Sequence, residues 1–168
     1  MSTQTPTPLP RIIEAFRAEP ARAAVSMKVT SDLIEGVRCD APIRQHGLVV
    51  DEPPTLGGTD AGPSPVELAL ASLGTCQAIT YRVWAAQLGI ALSDVRVEAE
   101  GDIDLRRFFG LDDEVRPGFG AIRLRVELEG PESPARYEEL AAAVDRHCPV
   151  LDLVRNPVPV ERVVVTAP

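Results

Sequence analysis

The sequence predicts a single domain in which helices and strands are mixed, and three patterns carry this expectation. Apolar and charged residues alternate in two segments, Val95 to Glu100 and Ala121 to Leu128, as in strands with one face on a core and one in water. Helical start and stop signals bound a long, nearly uncharged run from Ser64 to Gly89. The 168 residues, of which 45% are hydrophobic, suffice for one core but not for two full domains.

The N-terminal residues are expected to form an extension that precedes the domain. Thr and Pro dominate Met1 to Pro10, and such a composition buries too little surface to offset the entropy of ordering. The segment RIIEAFRAEP that follows predicts a short helix ending at Pro20. We therefore expect a partly flexible extension over residues 1–22 and one domain over residues 23–168.

The next part of the chain predicts strands followed by a loop. From Ala23 the pattern changes: Val25, Met27 and Val29 alternate with polar residues, and Val37 to Val50 has an extended pattern around Pro42, which together predict two or three strands. Gly, Pro and Asp are dense from Asp51 to Pro65, and these residues permit or fix turn dihedrals. We expect this segment to be a loop that delivers the chain into a helix.

The helix after this loop is the best supported element. Ser64 suits the N-cap, Pro65 suits the first helical position, and Glu67 lies at the positive end of the helix dipole. Gly89 ends the helix. Glu67 and Arg82 are its only charged residues, whereas an ordinary surface helix carries a full polar stripe. We therefore expect a central helix that is covered on most sides.

The C-terminal part predicts a loop, a second helix and a last strand. A long loop over residues 106–120 separates the two alternating strands, and its Phe108 and Phe109 predict either an apolar flap over a pocket or core packing. An amphipathic helix is expected to start near Ser133 and to stop at Pro149. The segment VERVVV, residues 160–165, predicts a final strand.

Composition and charge exclude several classes of protein. The chain carries 17 Lys and Arg against 25 Asp and Glu, a net charge of -8 that repels nucleic acids and anionic membranes. The longest uncharged stretch near the middle, Leu68 to Tyr81, is too short to span a bilayer. Three cysteines are too few for a disulfide scaffold, and no secretory signal is visible at the N-terminus. We expect a cytoplasmic protein that binds neither nucleic acid nor membrane.

Two cysteines stand in settings that permit chemistry. Cys76 lies within the central helix, in ASLGTCQAIT, and Cys148 lies in RHCPV, where the second helix must break. A thiol in mid-helix gains little from the helix dipole, so a low pKa would need a cation from another segment, and arginine is the natural candidate. The alternative, which composition alone favours, is that each cysteine fills space in the core as a small hydrophobe.

The sequence predicts no cofactor. Metal ligands usually recur at C-x-x-C or H-x-x-x-H spacing, which is not found among Cys39, His46, Cys76, His147 and Cys148. The stretch GGTDAG lacks the Lys-Ser/Thr pair of a P-loop. We expect neither a metal site nor a nucleotide site.

Four short motifs together resemble one known family. They are DEPPTLGG and GPSPVEL, which lead into the central helix, LGTC within that helix, and HCPV further along the chain. The chain is thereby similar to the OsmC (osmotically inducible protein C) family, which includes the organic hydroperoxide resistance proteins, over roughly Val37 to Val165. The resemblance implies an α+β, OsmC-like fold in an intertwined homodimer, with long central helices buried between β-sheets.

The resemblance also implies an activity and a role for each cysteine. In the peroxidase branches of the family a thiolate attacks the O–O bond of a hydroperoxide, and a second cysteine condenses with the resulting sulfenic acid. By motif position Cys76 matches the peroxidatic cysteine and Cys148 the resolving one, whereas Cys39 matches nothing. The implied partners are a second copy of the chain, an organic hydroperoxide or other small apolar ligand, and a dithiol reductant, with lipoyl-type dithiols among the candidates.

The other family site residues transfer less clearly. Family peroxidases use an arginine from the loop after the first strand, for which both Arg38 and Arg44 are candidates. They pair it with a glutamate directly after the motif proline, where this chain has Val66. Glu67 is one position later, turned by about 100° and about 13 Å along the helix from Cys76. It is either a site residue that reaches a partner helix or a first-turn acid that favours the dipole.

Arg44 lies in IRQHGL, a strand-like setting in which His46 shares its face.

Two further interpretations stay open beside the peroxidase. Val66 in place of the glutamate favours an OsmC-fold protein that binds a small apolar or electrophilic ligand without redox turnover. A thiol redox protein that does not act on peroxides is the third possibility.

Overall fold

Helices and strands are mixed along the chain, as the sequence predicts. The computed structural model describes residues 9–166. Its helices are α1 (Leu9–Ala18), α2 (Pro65–Leu88), α3 (Pro134–His147) and α4 (Pro149–Arg155). Its strands are β1 (Asp32–Glu35), β2 (Arg38–Asp40), β3 (Val49–Val50), β4 (Asp94–Ile103) and β5 (Phe119–Glu129).

The described chain forms two compact units. Residues up to Ser72 and Ala99–Arg123 make up the first unit, and Leu73–Glu98 with the residues from Leu124 onward make up the second. The single domain over residues 23–168 stays a prediction. Residues 1–8 of the predicted flexible lead-in lie outside the described residues.

The first unit contains a three-stranded sheet in the order β1-β2-β3. Leu33 pairs with Cys39, and Cys39 pairs on its other side with Val50, both in antiparallel register. Two or three strands before Val50 were expected, and three are present. The alternating residues Val25 to Val29 are not a strand, however, because no neighbouring strand pairs with this exposed segment within the described chain.

The loop between β3 and α2 is organised around the buried carboxylate of Asp51. Its oxygens accept hydrogen bonds from the backbone N–H of Glu52 (2.8 Å), of Thr59 (2.9 Å) and of Ala61 (3.1 Å). The Thr59 hydroxyl donates a further bond of 2.7 Å. These bonds favour the ionised form and hold the pKa of Asp51 well below its usual range. The loop is therefore an ordered structure that sets the entry angle of α2.

The caps of α2 are those that the sequence predicts. The Glu67 carboxylate accepts hydrogen bonds from the backbone N–H (2.8 Å) and the hydroxyl (2.9 Å) of Ser64, and the Ser64 hydroxyl accepts one from the Glu67 N–H (3.4 Å). This reciprocal arrangement is a capping box. At the other end Gly89 has a φ of 62°, the left-handed conformation that ends helices. No helix within residues 9–166 is long and apolar enough to cross a membrane.

The hydrophobic core of the second unit joins α2, the segment after it and α3. Side chains from these three elements bury one another, which sets the position of α3 against α2; they are Tyr81, Ala85, Ile90, Leu92, Leu140 and Val144. Arg82 supports the same packing, since its guanidinium donates to the carbonyls of Leu92 (2.6 Å) and Ser93 (3.3 Å). The central helix is thus tied to α3 through its second half.

Of the two predictions about the C-terminal region, the helix from near Ser133 to Pro149 is confirmed and the final strand is wrong. Pro149 does not merely stop the second helix but begins α4, because a proline is well tolerated at the first position of a helix. Residues 160–165 are not a strand, since no strand of the described chain pairs with them. Val160, Val163 and Val165 are each 86% exposed there.

One face of α2 is uncovered in the single chain. Its buried side chains lie at helical spacing on one stripe; they are Leu73, Gln77, Thr80, Tyr81 and Ala85. Ile79 on another side is 65% exposed. The expectation of a helix covered on most sides is therefore not met within the described chain.

A two-cysteine candidate active site

The structure brings Cys76 and Cys148 into contact within the second unit. The Cys148 thiol donates a hydrogen bond to the Sγ of Cys76 over 3.4 Å, and both cysteines are free thiols. Cys148 is 2% exposed, while Cys76 is half-buried. A disulfide bond is about 2.05 Å long, so a small movement separates this contact from a covalent link.

The break between α3 and α4 positions Cys148. Its backbone is extended, with φ of -83° and ψ of 112°, and it is at once the C-cap of α3 and the N-cap of α4. Its N–H donates to the carbonyl of Val144 (3.0 Å), and its own carbonyl accepts from the N–H of Asp152 (3.0 Å). The thiol is thus held from both sides, by α3 and by α4.

A stacked pair of rings secures the same break to α2. The imidazole of His147 stacks on the indole of Trp84, with ring centroids 3.8 Å apart and planes inclined by 25°. The Nδ1 of His147 lies 2.7 Å from the carbonyl oxygen of Ala143. His147 precedes Cys148 in the chain, but its contacts are with Trp84 and α3. We therefore assign it to holding the helix end rather than to chemistry at the thiol.

The surroundings of Cys76 act on its ionisation in opposite directions. Burial raises the pKa of the Cys76 thiol most, and the neighbouring Cys148 thiol raises it as well. A hydrogen bond from the backbone N–H of Val150 lowers the pKa, and so does one from the side chain of Thr80. The net result is a pKa above that of an ordinary thiol. Among the described residues, the groups that shift this pKa include no arginine, so the expected activating cation is not supplied there.

Two buried polar side chains of α2 follow Cys76 closely in the sequence. Thr80 is 7% exposed, and its hydroxyl donates to the carbonyl of Cys76 over 2.7 Å. Gln77 is 1% exposed, and its Nε2 has no hydrogen-bond partner in the described chain. Their residue types alone did not identify Thr80 or Gln77 as candidate site residues. Thr80 was nevertheless detectable, because a residue four positions after a helical cysteine lies on the same face.

The other predicted site residues lie in the first unit, and each has a local role there. Arg38 is in β2, where its Nη2 contacts the carboxylate of Asp40 (3.3 Å) and its Nε is buried without a partner in the described chain. The Glu67 carboxylate is engaged by Ser64, which lowers its pKa. That bonding agrees with the first-turn acid that was one of the two interpretations. The roles of these residues in a site stay predictions.

Arg44 is not in a strand, which corrects the expected setting. It lies at the tip of a tight turn with φ of 56°, and the turn is closed by two backbone hydrogen bonds between Ile43 and His46. His46 is therefore the partner that closes the turn rather than a strand neighbour on the same face. Both Arg44 and His46 are exposed.

A separate cavity of the first unit lies along the start of the loop between β4 and β5. Its volume is about 480 Å³, and it is lined by Ile103, Asp104, Leu105, Arg106, Phe109 and Leu111. Arg106 is held there by Asp104 (2.7 Å) and Asp112 (2.9 Å). Phe108 is 72% exposed and Phe109 is 53% exposed, so core packing of this pair is excluded in the single chain.

Comparison with known families and structures gives one consistent fold. The family model described as OsmC-like protein matches residues 58–162. An OsmC-like protein of Mycoplasma pneumoniae is 20% identical with a TM-score of 0.68, and the alignment covers 78% of this chain and 88% of that one. A comparison with curated proteins gives no match.

Two further solved structures share the fold at similar identity. An organic hydroperoxide resistance protein OsmC of Legionella pneumophila, also described as a predicted redox protein, is 21% identical with a TM-score of 0.61, covering 79% of this chain and 92% of that chain. A Vibrio cholerae structure with captopril bound in one of its active sites is 16% identical with a TM-score of 0.57, covering 79% and 87%. At these identities the likeness establishes the fold.

Proposed function

The chain belongs to the OsmC-like protein family, and from that premise we propose that it reduces organic hydroperoxides with the thiols of Cys76 and Cys148. The observation that carries the proposal is the contact of 3.4 Å between the two sulfur atoms. A peroxidase of this kind needs a second thiol beside the first, because the sulfenic acid must be resolved before it oxidises further. The description of the Legionella protein as an organic hydroperoxide resistance protein supports the substrate class.

The proposed reaction has three steps. The Cys76 thiolate attacks the terminal oxygen of the hydroperoxide, an S–O bond forms, the O–O bond breaks, and the alkoxide takes up the proton that the Cys76 thiol released. The Cys148 thiol then attacks the sulfur of the sulfenic acid, an S–S bond forms, and water leaves. A dithiol reductant exchanges with this disulfide, restores both thiols and is itself oxidised to a disulfide.

We further propose that the working molecule is a homodimer. The uncharged, exposed side of α2 around Ile79 and the exposed valines within residues 160–165 are apolar surfaces that a second copy would cover. Sedimentation analysis is expected to give twice the chain mass of 18.1 kDa. Sedimentation at 18.1 kDa at micromolar concentration would refute the dimer.

The proposed setting is the cytoplasm, in defence against oxidative stress. Half-buried and buried free thiols such as Cys76 and Cys148 persist in a reducing compartment. A dithiol reductant is available in such a compartment to close the catalytic cycle. No metal or other cofactor enters any of the three steps.

A second candidate function is thiol redox exchange or ligand binding without peroxide turnover. It is favoured by the raised pKa of Cys76 and by Val66 at the position of the family glutamate. A binder would be stabilised by its ligand even after both thiols were alkylated, because binding to the folded state raises stability. A peroxidase would lose its function on alkylation.

The test is consumption of cumene hydroperoxide and of hydrogen peroxide by the reduced protein in the presence of a dithiol. Cys76→Ser is expected to abolish consumption, and Cys148→Ser is expected to stop it after about one turnover with an oxidised Cys76. Cys39→Ser is the matched control, since Cys39 lies in β2, and it should consume peroxide at the native rate. Equal turnover in Cys76→Ser and the native protein would refute the peroxidase.

A further inference from the structure

Thr80 is a buried polar residue of α2. It lies one turn after Cys76 on the same face of α2, and its hydroxyl donates to the Cys76 carbonyl over 2.7 Å. Within an α-helix that carbonyl already accepts the backbone N–H four residues later. The hydroxyl bond is therefore an addition that the helix does not need, and such bonds are slightly destabilising in helices.

A second acceptor lies within reach of the same hydroxyl. The sulfur of Cys76 lies on the same helix face, because side chains four residues apart are neighbours, and hydrogen bonding from the Thr80 side chain lowers the pKa of this thiol. A hydroxyl has one hydrogen to donate, so it serves either the carbonyl or the sulfur at a given moment. A thiolate is charged, and hydrogen bonds to charged acceptors are stronger than those to neutral carbonyls.

We propose that the Thr80 hydroxyl turns from the carbonyl of Cys76 to its sulfur when the thiol ionises, and that Thr80 is thereby a catalytic hydrogen-bond donor to the reacting atom. The other groups that face this sulfur are the Val150 N–H from α4 and the titratable Cys148 thiol. The site then stabilises its thiolate with neutral donors. The catalytic meaning of this role rests on the proposed peroxidase function, whereas the hydrogen bond itself does not.

This inference accounts for a departure from the family pattern. The chain has Val66 where the family has a glutamate, and no arginine is among the groups of the described chain that shift the pKa of Cys76. A chain that lacks that ion pair would depend more on the donors it does have. Thr80 supplies one such donor from α2, the element that carries Cys76 itself.

The experiment measures ionisation of Cys76 without any peroxide. Alkylation of the protein, reduced with a phosphine, by iodoacetamide is followed over a range of pH and assigned to the Cys76 peptide by mass spectrometry. Thr80→Val removes the hydroxyl at nearly constant volume, and Thr80→Ser keeps it. Thr80→Ala serves in place of Thr80→Val if the latter does not fold, and thermal unfolding checks each variant.

The expected result is slower alkylation of Cys76 in Thr80→Val and a native alkylation rate in Thr80→Ser. Loss of one hydrogen bond to a charged group raises the apparent pKa by about one unit. Near neutral pH this lowers the thiolate fraction about tenfold, and the greater nucleophilicity of the more basic thiolate leaves a net slowing of about threefold. Native alkylation rates in Thr80→Val, or equal slowing in Thr80→Ser, would overturn the inference.

The two proposals fail in different ways. A shifted pH profile in Thr80→Val without peroxide consumption by the native protein would refute the peroxidase and keep the role of Thr80 at the sulfur. Peroxide consumption by a Thr80→Val variant with an unshifted pH profile would keep the peroxidase and refute the role of Thr80 at the sulfur.

Discussion

The thiol of Cys148 donates a hydrogen bond to the sulfur of Cys76 over 3.4 Å, although 72 positions separate the two residues in the chain. Two different helical segments produce this contact, since Cys76 lies inside α2 and Cys148 lies in the break between α3 and α4. Free cysteines in a core need no such pairing, because each would pack as well against apolar side chains. The contact is therefore the structural feature on which the proposed redox chemistry rests.

The pH dependence of Cys76 reactivity is the first prediction. Burial raises the pKa of the thiol above its usual value, and only the thiolate is nucleophilic. At neutral pH most of the protein is then protonated at Cys76, and the alkylation rate is expected to rise about tenfold for each pH unit until the pKa is reached. A rate that is flat from pH about 6 to about 8 would mean that the thiol is already ionised and that a cation lies beside it.

The stack between His147 and Trp84 gives the second prediction. Trp84 is the single tryptophan, so its emission reports on this contact alone. His147→Ala is expected to shift the emission to longer wavelength, because water replaces the imidazole on the indole face. It should also slow disulfide formation, because the residue next to Cys148 loses its anchor. His46→Ala is the matched control at an exposed turn, and an unshifted spectrum in His147→Ala would contradict the assigned role.

The capping box of α2 gives the third prediction. Ser64→Ala is expected to lower the free energy of unfolding by about 1 kcal/mol, because it removes an N-cap side chain. Glu67→Gln keeps an acceptor for the Ser64 N–H and should lose much less stability. Urea denaturation measures both. If Glu67→Gln instead lost peroxide consumption at unchanged stability, the carboxylate would belong to the site rather than to the cap.

The buried carboxylate of Asp51 gives the fourth prediction. Its folded-state pKa is lowered by four hydrogen bonds. The resulting stability is fully present above the unfolded-state pKa of about 4 and is lost as pH falls below it toward the folded-state value. Asp51→Asn should lower the Tm at neutral pH by roughly 5 °C and flatten its fall in acid. Asp60 is an exposed residue of the same loop, so Asp60→Asn is the control and should leave the Tm unchanged.

The sequence predicted correctly those elements whose ends or faces are set by neighbouring residues in the chain. Ser64 and Gly89 mark the ends of α2. The alternation of apolar and charged residues marks β4 and β5, in which half-buried and exposed side chains alternate. The strands expected at Val25 to Val29 and at residues 160–165 did not form, because a strand needs a partner that local sequence does not specify. Pro149 was taken as a stop alone, although proline also starts helices.

The candidate site was predictable in part. The two motifs identified Cys76 and Cys148 through a resemblance, but their distance depends on how α3 and α4 pack on α2. Thr80 went unnoticed because a threonine inside a helix usually has no function beyond packing, and its bond to Cys76 depends on a rotamer. The raised pKa of Cys76 depends on burial, which no single position in the sequence encodes.

The central claim is that Cys76 and Cys148 form one redox couple, and its most direct test is the covalent state of the protein after oxidation. The reduced chain is treated with one equivalent of cumene hydroperoxide, digested without reductant and analysed by mass spectrometry. The expected result is a loss of two hydrogens and one linked species that joins the Cys76 and Cys148 peptides. Sulfinic acid at Cys76 beside an unmodified Cys148 thiol, or two unreacted thiols, would contradict it.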